Sequence, residues 1–83
     1  MKTIIKITTG YINIDSDNMS DVRQFDYTIK EAITELKSLQ LYTMNYDGFN
    51  RFESDPDIDG DRYFVDISSN IPDLAEKLAY KYK

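Results

Sequence analysis

The stretch from Asp55 to Asp66 constrains this chain more than any other. It reads Asp-Pro-Asp-Ile-Asp-Gly-Asp-Arg-Tyr-Phe-Val-Asp, with carboxylates at 55, 57, 59 and 61, then an apolar run. Like charges at every second position do not enter a core, and Pro56 and Gly60 suit turns better than regular elements. A solvated loop is therefore expected, followed by a strand over Tyr63-Phe64-Val65-Asp66-Ile67. Tyr63, Val65 and Ile67 fall on one face of that strand and Phe64 on the other. Apolar residues on both faces predict a central strand.

The remaining elements follow from period and punctuation. Thr3–Thr8 and Tyr11–Asp15 are rich in β-branched residues and read as strand. Ile5 and Ile7 have the opposite parity to Ile12 and Ile14, so a straight strand cannot bury both pairs on one side. Thr9-Gly10 is thus expected to be a turn or a glycine bulge, giving one bent strand or a tight hairpin. Val22, Phe25, Ile29, Ala32, Ile33, Leu36 and Leu39 recur every three or four residues, which predicts one long amphipathic helix. A competing signal is Thr28-Ile29-Lys30-Glu31. It fits a capping box, which would start the helix at Thr28 and leave 22–27 extended. Asp47-Gly48, between Leu41–Tyr46 and Phe49–Glu53, predicts a β-hairpin. Pro72 and Asp73 suit the first turn of a last helix, whose apolar stripe is Ile71, Leu74, Ala75, Leu78 and Tyr82. The order β(β)αβββα predicts one α+β domain over residues 1–83, an antiparallel sheet of three to five strands with two helices packed on one face.

Eighty-three residues form a small core, burying only about 60% of the surface of the unfolded chain. There is no cysteine and no histidine. That removes disulfides, thiolate metal sites and the commonest general base. No apolar run reaches membrane-spanning length and no signal-peptide core follows Met1, so the expected location is the cytoplasm. The formal net charge is −5. By chain position the excess lies in residues 45–66, where Asp47, Glu53, Asp55, Asp57, Asp59, Asp61 and Asp66 face only Arg51 and Arg62. Such a segment steers towards a cation or a basic protein surface, and direct nucleic-acid binding is disfavoured.

Two readings of the acidic segment follow. The first is a cation site. The segment resembles the EF-hand calcium loop, with Asp55, Asp57 and Asp59 at its first, third and fifth positions, Gly60 at the sixth and Asp66 at the twelfth. It departs from that loop in having Asp for the twelfth-position Glu, Arg62 at the eighth position and strands as flanks. This resemblance implies Ca2+ or Mg2+ held by Asp55, Asp57, Asp59 and Asp66.

The second reading is a protein-facing surface. In an extended chain, side chains two residues apart project on one face about 6–7 Å apart, a spacing comparable to that of nucleic-acid phosphates. Asp47, Glu53, Asp55, Asp57, Asp59, Asp61 and Asp66 could then occupy a basic groove, with Tyr46, Phe49 and Tyr63 as aromatic contacts. In size and charge the chain resembles small acidic phage inhibitors of the anti-CRISPR and DNA-mimic class. It is similar in the same respects to bacterial immunity proteins and antitoxins. That resemblance implies a non-catalytic inhibitor, with no cofactor, docking on a nucleic-acid-binding protein or nuclease. A homo-oligomer joined through a strand edge or a tyrosine-rich face is a further alternative. No phosphate loop, dinucleotide fingerprint, nucleophile elbow or zinc spacing points to an enzyme.

Overall fold

The computed structural model describes residues 2–83. Strands β1 (Ile5–Asn13), β2 (Met19–Tyr27), β3 (Asn45–Gly48), β4 (Arg51–Glu53) and β5 (Asp61–Ser69) form one antiparallel sheet in the order β2-β1-β5-β4-β3. Helices α1 (Ile29–Ser38) and α2 (Leu74–Tyr82) pack on one face. A single 3-10 turn, Leu41–Thr43, occupies what the sequence suggested was the start of a strand. The fold is α+β, as expected, and β5 is the central strand.

The core lies on the helical face. Ile5 and Ile7 of β1, Phe52 of β4, and Val65 and Ile67 of β5 meet Ala32 and Leu36 of α1 and Ala75, Leu78 and Ala79 of α2. No residue from 10–14 or 54–62 belongs to this cluster. The helices therefore cover only the half of the sheet that holds Ile5–Ile7 and Val65–Ile67. Beyond Gly10, β1, β2 and the start of β5 run on as an arm, about 13 Å from Gly10 to Ile14 at strand rise. This accounts for the elongated shape, 42 × 21 × 20 Å.

The long helix predicted from Val22 onward does not form. Residues 19–27 are β2, and the capping box decides the boundary: the Thr28 hydroxyl accepts from Glu31 N–H at 3.2 Å, and Glu31 Oε1 accepts from Thr28 N–H at 2.9 Å. The 3.6-residue period fails upstream because pairing with β1 satisfies the backbone of 22–27 as well as a helix would. That pairing also places Phe25 and Tyr27 on the helical side, opposite Ile7 and Ile5.

Thr9-Gly10 is not a hairpin turn but lies within one strand, at a β-bulge. β1 is continuous through it, and the irregularity lies on β2, where Asp21 and Val22 span the interval that Gly10 alone spans on β1. Asp21 takes φ +52° there. The two isoleucine pairs are not buried together. Ile5 and Ile7 enter the core, Ile12 is half-buried on the opposite face, and Ile14 is exposed.

Phe64 also lies on the face without helices, yet it is only 1% exposed. Gly10 pairs with it, and a Cβ at Gly10 would stand 3.1 Å from the Phe64 ring. The Arg51 guanidinium covers the ring at 4.7 Å from its centroid. Arg51 is held there by a two-pronged ion pair with Asp66, each bond 2.7 Å. That hydrogen bonding to Asp66 raises the Arg51 pKa, so the clamp stays cationic.

The β3–β4 hairpin forms, but its turn is Phe49-Asn50 and not Asp47-Gly48. Phe49 and Asn50 have φ +51° and +62°, the sign that a two-residue type I′ turn demands at both positions. Asp47 bulges out between the pairs Tyr46↔Phe52 and Gly48↔Arg51. A turn at Asp47-Gly48 would have paired Tyr46 with Phe49 and turned Phe52 to the outer face. The burial of Phe52 (0% exposed) selects the other register. α2 likewise begins later than Pro72 suggested, with Asp73 as its N-cap in a left-handed conformation.

Candidate partner-binding surface

The acidic loop closes as a tight turn at the end of the arm. Asp57 N–H donates to the Asp61 carbonyl at 2.9 Å and Gly60 N–H to the Asp57 carbonyl at 3.0 Å. The Asp57 carboxylate accepts from the backbone N–H groups of Asp59 (2.9 Å) and Asp61 (3.0 Å). Gly60 supplies φ +80°. Asp57 thus holds the turn together. Residues 57–61 do not run as an extended ladder, so their charges fan out from a turn and do not line one face at phosphate-like spacing.

A second acidic turn abuts the first. The β1–β2 connection carries Asp15 and Asp17, and Ile14 N–H donates to the Gly60 carbonyl at 2.8 Å. Asn13 ties the two turns. Its Nδ2 donates to the Asp59 carbonyl (3.1 Å) and to Asp61 Oδ1 (3.0 Å), while its Oδ1 accepts from the N–H groups of Asp15 (3.0 Å) and Ser16 (3.1 Å). The bulge residue Asp21 lies on the same arm. Residues 13–23 and 55–63 hold seven aspartates (Asp15, Asp17, Asp21, Asp55, Asp57, Asp59, Asp61) against Arg23 and Arg62, a net of −5. The remaining eight basic and eight acidic side chains cancel, so the arm carries the whole net charge of the chain. Five lysines (Lys30, Lys37, Lys77, Lys81 and Lys83) lie in the helices or directly after α2, at the other end.

The residues singled out from the sequence fall in four places. Asp55, Asp57, Asp59 and Asp61 lie on the arm, where Asp55 accepts from Asn45 Nδ2 at 2.9 Å. Tyr63 is there too, packed edge-on against Tyr11 at 5.3 Å. Asp66, Glu53 and Asp47 surround Arg51 on the outer face, where that cation offsets part of their charge. Tyr46 belongs to the core side, with its ring 5.1 Å from Phe52 and its hydroxyl accepting from Asn50 N–H at 3.3 Å. Phe49 stands alone at the β3–β4 tip, 101% exposed. The sequence reading missed Asp15, Asp17 and Asp21, which are remote in the chain, and Ile58, which projects fully exposed (100%) from the acidic turn. Only the β1–β5 register brings them together.

The calcium-loop geometry is not assembled. From Asp61 onward the chain is β5, so Asp66 is carried away along a strand and bonded to Arg51. Asp57 is spent on backbone N–H groups. Among the described residues, no group of three or more histidine, cysteine, aspartate or glutamate side chains is placed to hold a metal ion. A shallow cleft of about 490 Å³ over Thr8, Asp47, Phe49, Arg51 and Asp66 has its cation already engaged by Asp66. Among the described residues, no helix is long and apolar enough to cross a membrane. No protein-family model, curated protein or solved structure matches the chain.

Proposed function

We propose that this protein is a non-catalytic inhibitor that docks its acidic arm on a basic surface of another protein, such as the nucleic-acid groove of a nuclease or of an anti-phage effector complex. One observation carries the reading. The full net charge of −5 is gathered on one end of a 42 Å molecule, on two turns pinned together by Asn13. A rigid charged end presents its carboxylates without an ordering cost on binding, which favours tight electrostatic association. Ile58 at the tip adds an apolar contact ringed by acids. The likeness to phage-encoded inhibitors of the anti-CRISPR type rests on size and charge, and it suggests where to look for the partner.

The test is capture of partners from a bacterial lysate, with competition by duplex DNA and by salt. Bound protein should be displaced by DNA and released between about 50 mM and about 500 mM salt, as screening predicts. A partner retained equally at both salt levels and indifferent to DNA would overturn the reading.

A further inference from the structure

We infer that two copies of this chain join edge to edge through the outer side of β2, extending the five-stranded sheet across a two-fold axis at Phe25. β2 is the terminal strand of the sheet and runs nine residues, Met19–Tyr27. Every residue in it but Tyr27 is exposed. The other edge, β3, is only four residues long. Short edges, bulges and charges are the usual protection against strand pairing. Here the bulge at Asp21-Val22 protects only the arm end of β2 and leaves Arg23–Tyr27 regular. That length matches a typical strand. It carries the half-exposed apolar side chain of Phe25 (49%), with Val22 (51%) just before it and Ile29 (42%) just beyond it at the start of α1.

The side chains select both the partner and the register. A two-fold axis normal to the sheet keeps each face on its own side, so only registers centred on a residue are allowed. Centring on Arg23 opposes two arginines, and centring on Asp26 opposes two aspartates. Centring on Gln24 sets Val22 against Asp26. Centring on Phe25 opposes Phe25 with its own copy, Arg23 with Tyr27, and Gln24 with Asp26. It places no like charges together, and its central Phe25 pair is of the aromatic kind that stabilises antiparallel strands. A second copy thus complements this edge by itself. The axis lies in the helical half of the sheet, so both acidic arms stay free and point in opposite directions. Five paired residues, Arg23–Tyr27, make a small contact of the weak, transient class.

Sedimentation equilibrium from about 10 µM to about 1 mM should show monomer–dimer exchange, with dissociation in the micromolar range. The chain has no cysteine, so single introduced cysteines report the register. Phe25→Cys places the two thiols across a directly opposed pair, about 4.5–5.5 Å between Cα atoms, within disulfide reach. Gln24→Cys places them on a diagonal about 7–8 Å apart, beyond it. Mild oxidation should give covalent dimer with the first variant only. Gln24→Lys tests the register without disturbing Phe25. It sets a cation against Asp26 twice and should tighten the dimer several-fold. A single 9.7 kDa species at the highest concentration, equal cross-linking by both cysteines, or a dimer weakened by Gln24→Lys would each overturn the inference.

Discussion

At the scale of single residues, small groups decide boundaries. Thr28 and Glu31 start α1, and two measurements follow. Thr28→Ala removes the hydroxyl that satisfies Glu31 N–H and should cost about 1 kcal/mol in denaturant unfolding. The Thr28 backbone N–H, and then its hydroxyl, hold the Glu31 carboxyl below the usual glutamate range. Its folded-state pKa is depressed, so its contribution is present above the ordinary value of about 4.3 and is lost as pH falls through the folded value. The stability difference between wild type and Glu31→Gln should narrow from about pH 7 to about pH 3, and a constant difference would contradict this origin. Gly10 is the second decisive residue. A Cβ there meets the Phe64 ring at 3.1 Å and the Ser20 carbonyl oxygen at 3.2 Å, and the carbonyl belongs to the paired backbone. Gly10→Ala should therefore destabilise by about 1–3 kcal/mol, the range of overpacked sites, and an unchanged melting temperature would refute the tight packing of Phe64.

At the scale of elements, the β3–β4 hairpin shows what sets its register. Phe49 stands at φ +51° with its side chain fully exposed (101%), so it bears backbone strain with no packing in return. Phe49→Asn supplies a residue that tolerates this conformation and suits a type I′ turn. It should raise stability by roughly 1 kcal/mol, read as a higher denaturation midpoint. A lower midpoint would mean that Phe49 makes a stabilising contact. The Tyr46–Phe52 pair holds the register from the core side. β2 illustrates the converse. Its sequence is compatible with a helix, and only the β1 strand beside it makes extended structure the better solution.

At the scale of the molecule, charge and shape are segregated together. The helical half carries the core and a neutral balance, and the arm carries the net charge. Asp57 is a poor probe of that surface, because reversing it breaks the turn that displays its neighbours. Asp15 and Asp59 are the informative positions, since both are exposed and, among the described residues, neither carboxylate accepts a hydrogen bond. The double variant Asp15→Lys, Asp59→Lys changes the arm by four charges. It should weaken partner binding by about tenfold or more at low salt while leaving the circular dichroism spectrum unchanged. Retained affinity with intact fold would remove the arm as the docking surface.

The sequence by itself determined the α+β class, the centrality of β5, the second helix, the existence of the β3–β4 hairpin and the loop at Asp55–Gly60. Those features are local: alternation, turn chemistry and caps act within a few residues. The capping box at Thr28 was legible too, but its weight against the 3.6-residue period was not, because that depended on β1 as a partner. Tertiary structure alone decided the pairing of residues 19–27 as β2, the hairpin turn at Phe49-Asn50, the burial of Phe64 beneath Arg51 and the composition of the acidic end. The physical reason is common to all four. Each depends on strand register, and register joins residues such as Asp15 and Asp59 that are more than forty positions apart in the chain.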